Sequence, residues 1–287
     1  MGHKTKRKRV SRSWYGDLLV TLMLLLVGLF MVIPMVFSVS NAFKPLDELF
    51  IFPPKLFPRN PTIENFRILF QLTSSLWVPF SRYIFNSTFV SLVVTGTHIL
   101  VASMAAYPLS KHHFPGKNVI FQIILLALLF NGTTLAIPQY IILAKLGMID
   151  TYWAAVLPPI ASSLGLFLMR QFMVQIVNDS VLESARIDGA GELTIYWKIV
   201  MPMVKPAWLT LLILAFQNIW NTTDANVIYS ESLKMLPLAL NQIQQGGIAR
   251  TGVHGAAVLV MMIPPILTFI ITQSNVIETM AHSGMKD

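Results

Sequence analysis

The residues that could carry out chemistry are few in this sequence, and their spacing matches no catalytic motif. The chain has no cysteine, which excludes disulfides and thiolate metal sites. It has no G-x-x-x-x-G-K-[ST] phosphate loop, and the nearest fragment, Gly116-Lys117-Asn118, lacks the upstream glycine and the hydroxyl. H-E-x-x-H and G-x-S-x-G are absent, and the pair His112-His113 is typical of an interfacial loop. We therefore predict that the protein is not an enzyme and that the chain binds no metal and no cofactor.

The elements that must position any site are long apolar runs. The chain of 287 residues is 54% hydrophobic and 12% charged, whereas a soluble domain carries about 25% charged residues. Runs without Asp, Glu, Lys or Arg reach the length of about 18 residues that a helix needs to cross roughly 30 Å of hydrocarbon. Because lipid tolerates no unpaired backbone, we predict an all-α integral membrane protein with six transmembrane helices. The runs cover residues 18–39, 83–107, 119–144, 152–169, 206–223 and 255–277.

Basic residues predict the orientation of these helices. The net charge is +8, and a basic cluster at positions 4, 6–9 and 12 precedes the first run. Positive charge stays on the cytoplasmic side, so we expect a cytoplasmic N-terminus, and six crossings return the C-terminus to the same side. The predicted parts are a basic N-terminus, first helix and external segment (1–79), a transmembrane domain of five helices with a cytoplasmic loop at 178–205 (80–278), and a cytoplasmic tail (279–287).

The loop at 178–205, which we call the elbow, is more structured than a simple connection requires. Residues 178–180 (Asn-Asp-Ser) can cap a helix, and Ser180 with Glu183 matches the S-x-x-E capping box. Asp188-Gly189 is a turn signal, after which a second helix can run to a proline. The pattern predicts a rigid helix–turn–helix lying across the cytoplasmic face.

The elbow resembles the E-A-A…G…I-x-L-P loop of type I ABC importer permeases, in the branch that takes up carbohydrates. Further stretches are similar to the same family: AAYPLSKHHFPGK (105–117), LGMIDTYWAAVLP (146–158) and IWN (219–221). Three positions depart from the pattern, because Ser184 replaces the middle alanine, Met201 replaces a leucine, and Asn178 stands where a proline usually precedes the loop. The last exchange could alter the entry angle. The residues that carry the resemblance in the elbow are Glu183-Ser184-Ala185, Gly189, Ile199 and Pro202.

This resemblance implies a permease that is driven by ATP hydrolysis on other subunits. The implied partners are a second homologous permease forming a heterodimer, two ATPase subunits that hold ATP and magnesium, and an extracytoplasmic solute-binding protein, in a bacterial cell membrane and without nucleic acid. In the family this loop seats in a groove of the ATPase and transmits its closure. Glu183 either pairs with a basic residue of the ATPase or only caps its own helix. The implied coupling residues are Glu183, Ser184, Ala185, Asp188, Gly189, Ala190 and Pro202.

Uncharged polar residues in the runs suit a neutral, hydroxyl-rich solute. Polar groups are costly in lipid, so they should face the bundle interior, either as helix–helix contacts or as a path for a sugar. Trp220 beside Asn221 is the strongest pair, because an indole can stack on a sugar ring while an amide binds its hydroxyls. The candidates for the translocation path are Asn131, Gln139, Asn218, Trp220 and Asn221.

The segment between the last two runs is rich in amides and glycine. In maltose-type importers the corresponding loop of one permease reaches into the docked binding protein, and the resemblance implies the same contact here. The alternative is an ordinary solvated surface. The residues concerned are Gln244, Gln245, Gly246 and Gly247.

An ion-coupled secondary carrier or channel for a polar solute is the main alternative. Such proteins place ionisable residues at mid-membrane, and this sequence offers only Asp224 and His98. His98 is better interpreted as a neutral, hydrogen-bonded packing residue. A purely structural scaffold would leave the elbow unexplained, so the importer permease, with an oligosaccharide as substrate, is the favoured interpretation.

Overall fold

A computed structural model describes residues 14–74, 78–130, 132–222, 227–244, 247 and 250–283. These ranges are built from helices and contain no β-strand, as predicted. A five-residue π-helix (Tyr196–Val200) and a 3₁₀ turn (Glu231–Leu233) accompany the α-helices. The α-helices are α1 (Trp14–Ala42), α2 (Leu46–Leu49), α3 (Glu64–Ser74), α4 (Phe80–Lys111), α5 (Lys117–Ala127), α6 (Gly132–Lys145), α7 (Tyr152–Ile160), α8 (Ser163–Ile176), α9 (Asp179–Ile187), α10 (Glu192–Ile195), α11 (Met201–Met203), α12 (Lys205–Trp220), α13 (Leu236–Gln244) and α14 (Thr251–Ser283).

The first of two compact units comprises residues 1–69 and 247–259. Its helix α1 carries apolar side chains that are exposed along most of its length, as a helix facing lipid does. After α1 the chain is held by Asn65, whose amide donates to the carbonyls of Ala42 (3.0 Å) and Lys44 (2.7 Å). The boundary of this unit at residue 69 differs from the predicted boundary at residue 79, and the predicted division into domains stays a prediction.

The second unit, residues 70–246 and 260–287, is organised around α4. This helix packs against α7, α8 and α12. Its buried residues recur every three or four positions, which places them on one face of the helix. The line through Val90, Val94, His98, Ala102 and Ala106 is at most 3% exposed at every position.

A glycine allows α8 to approach α4 closely. A Cβ atom at Gly165 would lie only 2.0 Å from Nε2 of His98. The other ring nitrogen of His98, Nδ1, is 2.8 Å from the carbonyl oxygen of Ile160. Because a carbonyl only accepts hydrogen bonds, Nδ1 carries the proton. His98 is 3% exposed and packs between helices, as the sequence predicted.

Four helical segments in the described ranges are long and apolar enough to cross a membrane. They are Trp14–Ala42, Phe80–Lys111, Tyr152–Ile176 and Thr251–Gln273. A fifth arises if the bent pair Glu192–Met203 and Lys205–Trp220, with an angle of 75° between its helices, is one crossing. The number of six crossings therefore stays a prediction.

The third predicted helix, over residues 119–144, is not continuous. It is divided into α5, which ends at Ala127, and α6, which begins at Gly132. Gly132, the first residue of α6, is a weak helix former and favours a helix end at this place. The prediction of one unbroken helix here is wrong.

Candidate functional site

The elbow begins with α9, and its start differs from the prediction. Asn178 is the N-cap residue, and its side-chain oxygen accepts a hydrogen bond from the backbone N–H of Ser180 at 3.4 Å. Ser180 already lies in the first helical turn, so the predicted capping box with Glu183 is wrong. Glu183 is exposed and takes no part in capping. The buried side chains of Leu182 and Ala185 dock α9 onto the core, which leaves the opposite face free.

The turn after α9 ends the helix with a Schellman motif. Gly189 N–H donates to Arg186 O at 3.0 Å, and Ala190 N–H donates to Ala185 O at 2.9 Å. Gly189 has a φ of +81°, a left-handed conformation that side chains disfavour. Within the described part of the chain, a Cβ atom placed on Gly189 would meet nothing within 4 Å. The glycine is therefore required for its backbone conformation, and the space beside it is open.

The second half of the elbow runs into α12 through a π-helix. Ile195, Tyr196 and Val200 are buried, so this half also docks on the core. The hydroxyl of Tyr196 lies 2.6 Å from the hydroxyl of Ser103 on α4. Pro202 is exposed in α11, just before the 75° bend into α12. The elbow is thus a helix–turn–helix, as predicted, and both of its halves dock on the core.

Glu192 joins the two halves of the elbow to the Lys111 end of α4. One carboxylate oxygen accepts a hydrogen bond from Arg186 Nε at 2.8 Å, across the Gly189 turn. The other accepts from the hydroxyl of Tyr107 at 2.7 Å and lies 3.3 Å from Nε2 of His112. The hydrogen bonds from Arg186 and Tyr107 hold the pKa of Glu192 below its ordinary value, so the carboxylate is charged at neutral pH.

A second ion pair fixes the start of the elbow to the same helix end. Lys111 Nζ lies 2.8 Å from Oδ1 of Asp179, and this contact lowers the pKa of Asp179. The Lys111 side chain is 6% exposed, whereas that of Asp179 is 74% exposed. Because one partner is well solvated, the pair contributes little to stability by itself. Together with Glu192 it holds the elbow to α4 at two separate points.

Large apolar side chains remain exposed on both sides of the turn. Ile187 is 85% exposed, Leu193 71% and Trp197 51%. We call these three residues the elbow's apolar face. A segment that is docked on the core and still exposes three large apolar side chains has the properties of a surface for a partner protein.

The predicted coupling residues have different roles in this geometry. Glu183, Ser184, Asp188 and Pro202 are exposed, while Ala185 is buried on the side of α9 that faces the core. The sequence interpretation missed Tyr107, Asp179, Arg186 and Glu192. The opposite charges of Arg186 and Glu192, on either side of the Gly189 turn, were the one sequence signal for a contact across this turn. The contact with Tyr107 gave no such signal, because Tyr107 is distant in the sequence.

Some of the candidates for the translocation path line cavities in the structure, and others do not. Two adjoining cavities, each of about 400 Å³, share the side chains of Pro158, Pro159, Asn218 and Ile219. Gln139 also lines one of them. Asn218 and Gln139 are exposed residues that line these open cavities. Asn131 lies outside the described residues.

Trp220 does not fit the role of stacking on a sugar. Its side chain is 2% exposed, it stacks on Phe216, and its indole N–H donates to the carbonyl of Met261 at 3.0 Å. One ring face and the polar atom thus have protein partners, and the 2% exposure leaves almost no surface for a solute. The neighbouring Asn221 is exposed and is the C-cap residue of α12. Its side-chain amide donates to the carbonyl of Gln217 at 2.9 Å.

The amide-rich segment is described only in part. Gln244 is the last residue of α13, and Gly247 has a φ of +90°, which glycine adopts without strain. Gln245 and Gly246 lie outside the described residues. The contact predicted for this segment stays a prediction.

Comparison with known proteins identifies the family. The model of the family "binding-protein-dependent transport system inner membrane component" matches residues 98–274. Protein LplC of Bacillus subtilis is 29% identical over 238 residues, which cover 83% of this chain and 76% of LplC. The arabinooligosaccharides transport system permease protein AraQ of Halalkalibacterium halodurans is 27% identical over 96% of both chains. The sn-glycerol-3-phosphate transport system permease protein UgpE of Yersinia enterocolitica is 31% identical over 71% of this chain and 77% of UgpE.

A solved structure shares the fold. It is a chain of a bacterial ABC transporter involved in the import of the acidic polysaccharide alginate. The TM-score is 0.76 at 22% identity, and the match covers 92% of this chain and 98% of that chain. The all-α permease fold and the family expected from the elbow are therefore confirmed.

Proposed function

Because the chain belongs to the family of binding-protein-dependent transport system inner membrane components, we propose that it is the permease of an ATP-driven carbohydrate importer. It is a multi-pass protein of the bacterial cytoplasmic membrane, with both termini on the cytoplasmic side. A second, homologous permease completes the pathway, and two ATPase subunits carry ATP and magnesium. An extracytoplasmic binding protein delivers the solute.

The observation that carries this proposal is the elbow. Its two helices are docked by buried residues and by Glu192, while the apolar face formed by Ile187, Leu193 and Trp197 remains exposed. A partner that covers this face would push on a stiff element and not on a mobile loop. We propose that the partner is the ATPase, that Gly189 allows the close approach, and that the exposed Glu183 pairs with one of its basic residues.

The solute proposed is an oligosaccharide. Relatives include a permease named for arabinooligosaccharides, which are rich in hydroxyl groups. Asn218 and Gln139 supply amides, which both donate and accept hydrogen bonds, at cavities lined otherwise largely by apolar side chains. We propose that these two residues contact the passing sugar, and that Gln244–Gly247 contacts the binding protein.

Replacing both Ile187 and Leu193 with serine should weaken the association with the ATPase without unfolding the permease. Both side chains are more than two-thirds exposed, so the two substitutions together should change the free energy of unfolding by about 1 kcal/mol or less. If they are anchors in a partner's groove, association should weaken by about tenfold or more, as anchor residues typically show. The measurement is the amount of ATPase that co-purifies with tagged permease at several ATPase concentrations.

Leu182→Ser provides the matched control, because Leu182 is buried and belongs to the same helix as Ile187. That variant should lose thermal stability first, and ATPase binding only as a consequence. If the Ile187/Leu193 double variant retains the full amount of ATPase at limiting concentration, the apolar face is not the docking surface, and the proposed coupling is wrong.

A further inference from the structure

The Phe80 end of α4 is bound to the segment that precedes α13. The hydroxyl of Tyr83 donates to Oε1 of Glu231 at 2.8 Å. The amide of Asn86 donates to two backbone carbonyls of the same segment, those of Ser232 and Lys234, both at 2.9 Å. The tyrosine and the asparagine are fully buried, whereas the side chain of Glu231 is 32% exposed. We call this set of contacts the upper joint.

Further contacts surround the upper joint. The backbone N–H of Leu236 donates to Oγ of Ser87 at 2.7 Å. Glu231 also pairs with Lys234, whose Nζ lies 2.5 Å from Oε2. Arg82 donates to the carbonyl of Ser232 at 3.3 Å. The segment Glu231–Leu236 is thus attached to α4 through side chains and backbone together, and it leads directly into the helix that ends at Gln244.

The opposite end of α4 is bound to the elbow in a similar way. Tyr107 donates to Glu192, and Lys111 pairs with Asp179, as described above. We call these two contacts the lower joint. At each end a tyrosine hydroxyl of α4 binds a glutamate of a segment distant in the sequence. Charge-assisted hydrogen bonds of this kind are about twice as strong as neutral ones.

Between the joints α4 is one uninterrupted helix. From Tyr83 to Tyr107 it spans about 36 Å, and its one proline, Pro108, lies within the lower joint, between Tyr107 and Lys111. Its buried face is held by α7, α8 and α12, and His98 fixes it to the carbonyl of Ile160 near its middle. A helix supported along its length moves as one body, so a displacement at one joint must reach the other.

We propose that α4 is the rigid link that connects the segment Glu231–Leu236 with the elbow, and that Tyr83 and Tyr107 are the positioning residues at its two ends. The inference rests on the proposed function, in which the Phe80 end is extracytoplasmic and the elbow meets the ATPase. Docking of the loaded binding protein would displace Glu231–Leu236, and α4 would carry that displacement to the elbow. Each tyrosine acts through the glutamate that it binds, without touching solute or nucleotide.

The test measures ATP hydrolysis by the complete complex in nanodiscs, with and without binding protein saturated with a mixture of arabino- and maltooligosaccharides. The variants are Tyr83→Phe, Tyr107→Phe and the two combined. We expect each single variant to lower the stimulated-to-basal ratio by about fivefold or more, as the loss of coupling between two sites does. Tyr83→Phe should leave basal hydrolysis unchanged. The loss of the stimulated-to-basal ratio in the combined variant should be no larger than the loss in the more impaired single variant, because both residues act on one link.

Tyr140→Phe is the matched control, since it removes a tyrosine hydroxyl from α6, where its partner is Tyr229 and not α4. Assembly of each variant complex is checked by co-purification. If the Tyr83→Phe complex does not assemble, Glu231→Gln is used in its place. Undiminished stimulation in both single variants, or losses that multiply in the combined variant, would overturn the rigid link. A wild-type complex that shows no stimulation would instead contradict the proposed function.

Discussion

Gly189→Trp is expected to abolish most uptake, while Gly189→Ala retains a substantial part of it. Both variants carry the same backbone strain, because φ at this position is +81°, which costs about 1–2 kcal/mol for a residue with a side chain. They differ only in bulk, and that bulk would extend into space that is empty in this chain. A large difference between them therefore reports a partner that occupies this space.

Uptake of labelled oligosaccharide in cells would be measured beside the amount of each variant in the membrane. Gly189→Asn serves as a second control, because asparagine tolerates the left-handed conformation better than alanine does. We expect the Asn and Ala variants to retain more than half of wild-type uptake, because a strain of at most about 2 kcal/mol is smaller than the roughly 5–15 kcal/mol that keeps a protein folded. Equal uptake by the Trp and Ala variants would mean that no subunit approaches Gly189.

Gly165→Ala should destabilise the transmembrane core more than any other alanine substitution of a glycine in α4 or α8. The new methyl group would fall 2.0 Å from Nε2 and 2.4 Å from Cε1 of His98. The imidazole cannot move away freely, because Nδ1 is bonded to Ile160 O at 2.8 Å. Overpacking of this kind costs about 1–3 kcal/mol, which we expect to appear as a lower midpoint of thermal unfolding in detergent.

Gly96→Ala is the matched control, since it is also a glycine within a helix but has nothing within 4 Å of an added Cβ. It should be neutral or stabilising, because alanine favours a helix over glycine by about 0.5–1 kcal/mol. Combining Gly165→Ala with His98→Ala should cost less than the sum of the two single variants. Strict additivity would show that the ring and the new methyl group do not meet.

The turn of the elbow was predictable from the sequence, and its start was not. Asp188-Gly189 marks a left-handed helix end, because few other dipeptides combine a good turn former with a glycine. Asn178, Asp179 and Ser180, in contrast, are three consecutive residues that can all cap a helix. Which of them does so depends on where the chain leaves α8, which local sequence does not determine.

The contacts of Glu192 could not be derived from the sequence because they depend on tertiary packing. Tyr107 lies 85 positions away from Glu192, and no periodicity relates the two. Trp220 shows a different limit. An aromatic residue in an apolar run can pack or can bind a ligand, and only its burial, with 2% exposure, decides for packing.

The central claim, import driven by ATP on the elbow's side of the membrane, is tested most directly with the complex reconstituted in proteoliposomes. Labelled oligosaccharide and binding protein are supplied on one side, and ATP is enclosed on the other, with ionophores collapsing all ion gradients. We predict accumulation that requires both ATP and binding protein. Accumulation that persists without ATP but stops when the ion gradients collapse would contradict this account and identify an ion-coupled carrier.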